Sequence, residues 1–127
     1  MNKLFIIGNL TRDPEMRTMP DGRTVCNFTV ACNKRVRQGA HPEADYFRCT
    51  AWDKLAENCG KYLAKGKKVN VIGPVGLSHY ADQNGEIRYY LQVNAQDVEF
   101  LTPKGQDGAA ADAAEGFTQV EDEDGNF

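Results

Sequence analysis

The alternation of apolar side chains with a period of two residues constrains the fold of this chain most strongly. It is clearest in residues 24–33, TVCNFTVACN, where Cys26, Phe28, Val30 and Cys32 fall on one face of an extended chain. An α-helix repeats every 3.6 residues and cannot hold such a series on one face. The stretch therefore predicts a β-strand with one face in a hydrophobic core.

Four further stretches have a β-type composition and are separated by turn residues. They are residues 3–10, 45–52, 68–81 and 87–101. The last two are connected through Asn84-Gly85, a pair that favours a type I′ hairpin turn. Residues 11–23, TRDPEMRTMPDGR, are predicted to be turn after the first strand, with Pro20-Asp21-Gly22 as the strongest signal. The domain is therefore predicted to be mostly β-structure.

One segment has a helical period instead. Leu55, Cys59 and Leu63 lie four residues apart, with Asp53 placed to cap the start of a helix and Gly66 placed to end it. The resulting order is three strands, one helix and two long strands. This order is typical of the OB-fold, a five-stranded Greek-key barrel with a helix between strands three and four. Such barrels bind oligonucleotides or oligosaccharides, and composition alone leaves both ligands open.

Charge divides the chain into two parts. All 15 basic residues lie in residues 1–104 together with 11 acidic ones, which gives this part a net charge of +4, whereas residues 105–127 contain seven acids and no base. The second part is rich in Gly, Ala and acids and has few large apolar residues, a composition typical of disorder. We therefore predict an OB-fold domain over residues 1–104 and a disordered acidic tail over residues 105–127.

Several classes of protein are disfavoured. The apolar run Leu4–Ile7 is too short for a secretory signal, and no stretch approaches the roughly 20 apolar residues of a membrane span. We therefore expect a cytoplasmic location. The four cysteines show no zinc-ligand spacing, which favours small buried side chains over a metal site. No catalytic or cofactor-binding motif is present, so neither an enzyme nor a cofactor is predicted.

Aromatic and basic residues alternate in the third predicted strand. Tyr46, Arg48 and Trp52 share one strand face, while Phe47 lies on the other. An exposed face of this kind suits bases that stack on the rings and phosphates that meet the guanidinium. The alternative, with Tyr46 and Trp52 in the core and Phe47 outside, is not excluded by the pattern. Tyr80, beside the hairpin, either stacks on a base or braces the two strands.

Basic residues cluster at two further places, after the second strand and after the helix. Such clusters are either ordinary solvated surface or contacts to phosphate. The residues are Lys34, Arg35 and Arg37 in the first cluster and Lys65, Lys67 and Lys68 in the second.

Three stretches closely resemble the bacterial single-stranded DNA-binding protein family. They are IIGNLTRDPEMRTMPDGRTVCNFTVA, DYFRCTAWDKLAENCGKYLAKGKKVNVIG and YADQNGEIRYYLQVNAQDVEFL. The resemblance extends from Met1 to about Leu101, and the acidic terminus ending in Phe127 is an independent match. It implies an OB-fold homotetramer that binds and protects single-stranded DNA in replication, repair and recombination. A primosomal OB-fold protein acting mainly through protein contacts is the alternative, but such relatives typically lack the acidic tail.

The resemblance also implies roles for individual residues. Stacking on bases is expected at Tyr46, Trp52 and Tyr80, and contact with the DNA backbone at Lys34, Arg35, Arg48, Lys54 and Lys65. The tail is expected to recruit replication and repair proteins through Glu121, Asp122, Glu123, Asp124 and Phe127. The chain departs from the family at Val36, where many members carry an aromatic residue, and at Gly125-Asn126, where an apolar residue and Pro are usual.

Overall fold

The computed structural model describes residues 1–102, which form mostly β-structure with one helix in that range. The strands are β1 (Leu4–Leu10), β2 (Glu15–Thr18), β3 (Thr24–Asn33), β4 (Ala44–Trp52), β5 (Lys68–Gly73), β6 (Val75–Ala81), β7 (Ile87–Asn94) and β8 (Asp97–Phe100). The helix, α1, spans Asp53–Tyr62 between β4 and β5. The predicted order of strands and helix is therefore present.

The strands form one sheet in the order β6-β7-β4-β3-β1-β5-β8, with β2 paired to β3. Only Pro74 separates β5 from β6, and only residues 95 and 96 separate β7 from β8. Each end of the sheet is thus made by the same two stretches of chain, paired as β6 with β7 and as β5 with β8. This arrangement curls the sheet around one core and is consistent with an OB-fold.

Two predicted strands are each divided in the structure. The stretch 68–81 breaks at Pro74, which lacks the N–H needed to continue a ladder, and the stretch 87–101 breaks at residues 95 and 96.

Strand β2 was not predicted, because residues 15–18 were expected to be turn. All four of its residues are exposed, so no buried face produces an alternating pattern there. Its pairing with residues 24–27 of β3 extends the hairpin that closes at Gly22.

The hairpin between β6 and β7 is confirmed, but its predicted type I′ turn is wrong. Type I′ needs a positive φ at both central residues, and Gly85 has one (φ +79°) while Asn84 does not. The Gly85 N–H instead donates to the Asp82 carbonyl over 3.0 Å. The Asp82 carboxylate accepts hydrogen bonds from the Asn84 and Glu86 N–H groups, which holds the loop closed.

The ends of α1 also differ from the prediction. Trp52 is the N-cap residue, and no side chain caps that end. The carboxylate of Asp53 is paired with Arg23 instead. At the other end α1 stops at Tyr62, and Leu63 is extended. Gly66 adopts a left-handed conformation (φ +87°) only in the following turn, where its N–H donates to the Leu10 carbonyl.

The core lies between the curled sheet and α1. Its largest fully buried side chains are those of valines and cysteines: Val30, Val69, Val71, Val93, Cys26, Cys49 and Cys59. Burial raises the pKa of the Cys26 thiol to about 11 and the pKa of the Cys49 and Cys59 thiols to about 12. These three cysteines act as small apolar side chains, as predicted, while Cys32 is only half-buried.

Residues 1–102 contain neither a membrane-spanning helix nor a cluster of metal-binding side chains. No helix in this range has the length and apolar character needed to span a bilayer. The same residues contain no group of three or more His, Cys, Asp or Glu side chains arranged to hold a metal ion.

Candidate nucleic-acid interface

The alternation of β4 decides which aromatic side chains are exposed. Phe47 packs against the core and Ala51 is fully buried, so the opposite face of the strand is turned outward. Tyr46 lies on that outer face with 61% of its surface exposed, and Trp52 is half-buried at the strand end. The alternative arrangement, with Tyr46 in the core and Phe47 outside, is therefore wrong.

Arg48 joins the outer face of β4 to the β6–β7 hairpin. Its guanidinium carbon lies 5.5 Å from the centroid of the Tyr80 ring and 4.1 Å from that of Tyr90. The two tyrosine rings are 6.1 Å apart and tilted by 49°. Strand pairing explains this cluster, because β7 runs beside β4 with Arg48 opposite Gln92.

Tyr90 was missed by sequence reasoning, although a signal for it exists. A hairpin centred near Gly85 places Tyr90 opposite Ser78, two residues from Tyr80, so both tyrosines share a face. Reading that register from the turn would have located the second ring. The structure thus contains three exposed or half-exposed aromatic side chains beside Arg48, namely Tyr46, Tyr80 and Tyr90.

Hydrogen bonds stiffen the hairpin that carries Tyr80. The Arg88 Nε donates to Asp82 Oδ2 over 2.9 Å, while the other carboxylate oxygen binds the loop backbone. These bonds, led by the one from Arg88, hold the pKa of Asp82 below its usual value. The carboxylate therefore stays ionised and keeps the base of the loop closed at neutral pH.

A chain of polar side chains crosses the surface between Arg48 and Trp52. Gln92 Nε2 donates to Thr50 Oγ1 over 2.7 Å, and Thr50 Oγ1 donates to Asn27 Oδ1 over 2.9 Å. The three side chains are half-buried and lie on three adjacent strands. Between Arg48 and Trp52 the outer face of the sheet is thus polar and is bordered by aromatic rings, which sequence reasoning did not foresee.

Trp52 has a basic neighbour that sequence reasoning also missed. The guanidinium carbon of Arg23 lies 4.5 Å from the centroid of the indole. Arg23 also donates two hydrogen bonds to Asp53, from Nε over 3.2 Å and from Nη2 over 2.9 Å. This pairing holds the pKa of the Asp53 carboxyl below its usual value and raises that of Arg23. The pairing of Val25 with Trp52 in the sheet brings these residues together.

The other predicted backbone contacts are all exposed but are spread over the surface. Lys34 Nζ lies 3.6 Å from carboxylate oxygens of both Glu43 and Asp45, and Arg35 follows it in the loop before β4. Lys54 is on the first turn of α1, directly after the Trp52 corner. Lys65 is in the turn after α1, beside Asp13, rather than on the outer face of β4.

The predicted tail residues Glu121, Asp122, Glu123, Asp124 and Phe127 lie outside the described residues, as does the predicted domain boundary at residue 104.

Comparison with known proteins gives the family of this chain. Residues 1–101 match the model of the single-strand binding protein family. A single-stranded DNA-binding protein of Oceanobacillus iheyensis is 37% identical over 94% of this chain and 74% of its own length. One from Halalkalibacterium halodurans is 36% identical over 92% of this chain and 70% of its own length. Single-stranded DNA-binding protein 2 of Clostridium acetobutylicum is 39% identical, over 80% and 77% respectively. The chain therefore belongs to the single-strand binding protein family.

Proposed function

We propose that this protein binds single-stranded DNA without sequence preference. The observation that carries the proposal is the row of Tyr46, Arg48 and the half-buried Trp52 on the outer face of β4, continued by Tyr80 and Tyr90 on the hairpin. Every base has a π-face, so stacking on such rings tolerates any sequence and contributes about 1–3 kcal/mol per base. The relatives in the family are named for the same activity, which supports the proposal.

Basic side chains supply the second part of the mechanism. In this proposal Arg48 and Lys54 lie close enough to the aromatic row to meet phosphates whose bases stack there. Lys34, Arg35 and Lys65 would extend the path of the strand around the domain. Since contacts to phosphate release counterions, binding should weaken as the salt concentration rises, by about 0.7 log units per log unit of salt for each phosphate neutralised.

Membership of this family makes the chain a non-catalytic binding protein. We propose that it protects exposed strands in the cytoplasm during replication, repair and recombination. In this proposal residues 1–104 form a five-stranded OB-fold barrel that binds the DNA. The acidic residues 105–127 would recruit partner enzymes through Phe127 and the four acids at residues 121–124.

The proposal includes a homotetramer, and the outer face of β1 supports self-association. Phe5 and Ile7 are 65% and 56% exposed and lie two residues apart on that face. Ile72 on β5 pairs directly with Phe5 and extends the apolar area. A second copy of the chain would cover these side chains. Sedimentation equilibrium of the full chain, compared with the Phe5→Asp variant, tests this part of the proposal.

The fluorescence of Trp52 tests the binding mechanism, because this residue is the single tryptophan in the chain. The full chain is titrated with oligo-dT at two salt concentrations. Strong quenching that weakens with salt supports stacking on Trp52. Binding seen by gel mobility shift without quenching keeps the DNA-binding function but removes Trp52 from it. No binding at either salt concentration rejects the function and favours a protein that acts through protein contacts.

A further inference from the structure

We propose that Asp53 pairs with Arg23 beside Trp52 in the free protein, and that a phosphate of bound DNA replaces the Asp53 carboxylate on the Arg23 guanidinium. This inference rests on the proposed function and adds two residues to it. Arg23 becomes a further DNA contact, and Asp53 becomes an internal competitor that weakens binding.

The backbone around Arg23 is fixed, so its position beside Trp52 is set by the fold. The Arg23 N–H donates to Asp21 Oδ1 over 3.0 Å, and its carbonyl accepts from the Met19 N–H over 2.8 Å. Strand β3 begins at the next residue, and Val25 pairs with Trp52 across the sheet. The turn and the strand register together deliver the guanidinium to the indole ring.

The Asp53 carboxylate pairs with Arg23 and does not cap α1. Asp53 is the one non-glycine residue among residues 1–102 with a positive φ, at +56°. Asp and Asn tolerate this left-handed region better than most residues. The side chain makes no capping hydrogen bond to α1, although it is the first residue of the helix. Its two oxygens are instead both engaged by Arg23.

A phosphate can substitute for this carboxylate. The planar guanidinium binds carboxylates and phosphates in the same two-pronged geometry. The side chains of Arg23 and Asp53 are 50% and 58% exposed, so a phosphate can reach the pair from solvent. Exposed ion pairs contribute only about 0.2–1 kcal/mol to stability, so replacing the carboxylate with a phosphate costs little free energy.

The position over Trp52 supplies the link to DNA. A base that stacks on the indole carries its own phosphate one sugar away. The guanidinium carbon lies 4.5 Å from the ring centroid, so a phosphate one sugar away from a base on the indole comes within its reach. The alternative is that Arg23 has a structural role alone and packs against the indole without contacting DNA. In that case it would affect the fluorescence of Trp52 but would not contribute to the salt dependence of binding.

The test compares the salt dependence of oligo-dT binding in matched variants of the full chain. In Asp53→Asn the amide tolerates the same backbone conformation but cannot hold the guanidinium as an ion pair. Asp97→Asn is the control, since it makes the same charge change at an exposed position on β8, which pairs with neither β3 nor β4. The double variant Asp53→Asn with Arg23→Gln also removes the guanidinium that the loss of Asp53 leaves unpaired. Binding is measured by fluorescence anisotropy of labelled oligo-dT between 50 and 200 mM NaCl.

We expect Asp53→Asn to bind up to about fivefold more tightly at low salt, with a salt slope steeper by about 0.7. The double variant should return the slope to the wild-type value, and Asp97→Asn should match the wild type. The inference is wrong if Asp53→Asn behaves like Asp97→Asn. It is also wrong if the double variant keeps the steep slope, because Asp53 would then act only by repelling DNA and not through Arg23. Wild-type protein that fails to bind oligo-dT at any salt would reject the proposed function itself. Thermal unfolding verifies each fold, and Asp53→Gly gives a second variant with the same expected slope.

Discussion

Substituting the adjacent residues Tyr46 and Phe47 one at a time separates the effect on binding from the effect on stability. They are neighbours on β4, yet Tyr46 is 61% exposed while Phe47 packs against the core. Tyr46→Ala should therefore weaken oligo-dT binding with little effect on folding. Phe47→Ala should destabilise the fold while leaving the outer face in place.

The expected changes in the free energies of binding and unfolding follow from how deeply each ring is buried. Loss of one stacking ring costs about 1–3 kcal/mol of binding, or about a 5- to 150-fold increase in Kd. Removal of the exposed Tyr46 ring should change the free energy of unfolding by less than about 1 kcal/mol. A fully buried Phe costs about 3–5 kcal/mol when cut to Ala, and the half-buried Phe47 should cost about 2–3 kcal/mol. For a domain of this size that lowers Tm by about 8–24 °C.

The assay measures both quantities on both variants. Kd for oligo-dT is obtained by anisotropy at fixed salt and at a temperature where both variants are folded, and Tm is obtained at one protein concentration, because self-association would make it concentration-dependent. The reasoning is refuted if Tyr46→Ala melts as early as Phe47→Ala, since Tyr46 would then be part of the core. It is equally refuted if Tyr46→Ala binds as tightly as the wild type.

Three further outcomes are expected. Gly8→Ala should destabilise the fold by about 1–3 kcal/mol or more in urea unfolding, because an added Cβ would clash with the Ala31 carbonyl, whereas Gly76→Ala has open space and should stay within about 1 kcal/mol of wild type. Arg48→Ala should weaken oligo-dT binding and flatten the salt slope by about 0.7, and Arg48→Lys should restore the slope but not the ring contacts; an unchanged slope in Arg48→Ala would remove it from the interface. At pH 8 the Cys49 and Cys59 thiols, with pKa values of about 12, should resist iodoacetamide until guanidinium unfolds the chain, while half-buried Cys32 reacts first; rapid labelling of Cys49 in the folded protein would contradict the assigned core.

Local patterns were enough for the elements and for part of the site. Alternation in residues 24–33 and 45–52 located two central strands and gave the correct face for Phe28, but it left the face of Phe47 open. Helical spacing located α1, and the Asn84-Gly85 pair located the hairpin. These predictions succeed because strand and helix periods depend on residues only a few positions apart. Strand β2 was not predicted because its four residues are all exposed and therefore show no alternation of apolar and polar side chains.

Contacts between residues far apart in the chain were decided only by the folded sheet. Arg23 and Asp53 are 30 residues apart, and Gln92 and Thr50 are 42 apart. Their side chains meet because β3, β4 and β7 lie side by side in one register, with β7 parallel to β4. A shift of one residue would turn each of these side chains to the opposite face. The sequence by itself thus determined which residue types could bind DNA, while the strand register, set by packing of the valine-rich core, decided which of them stand together.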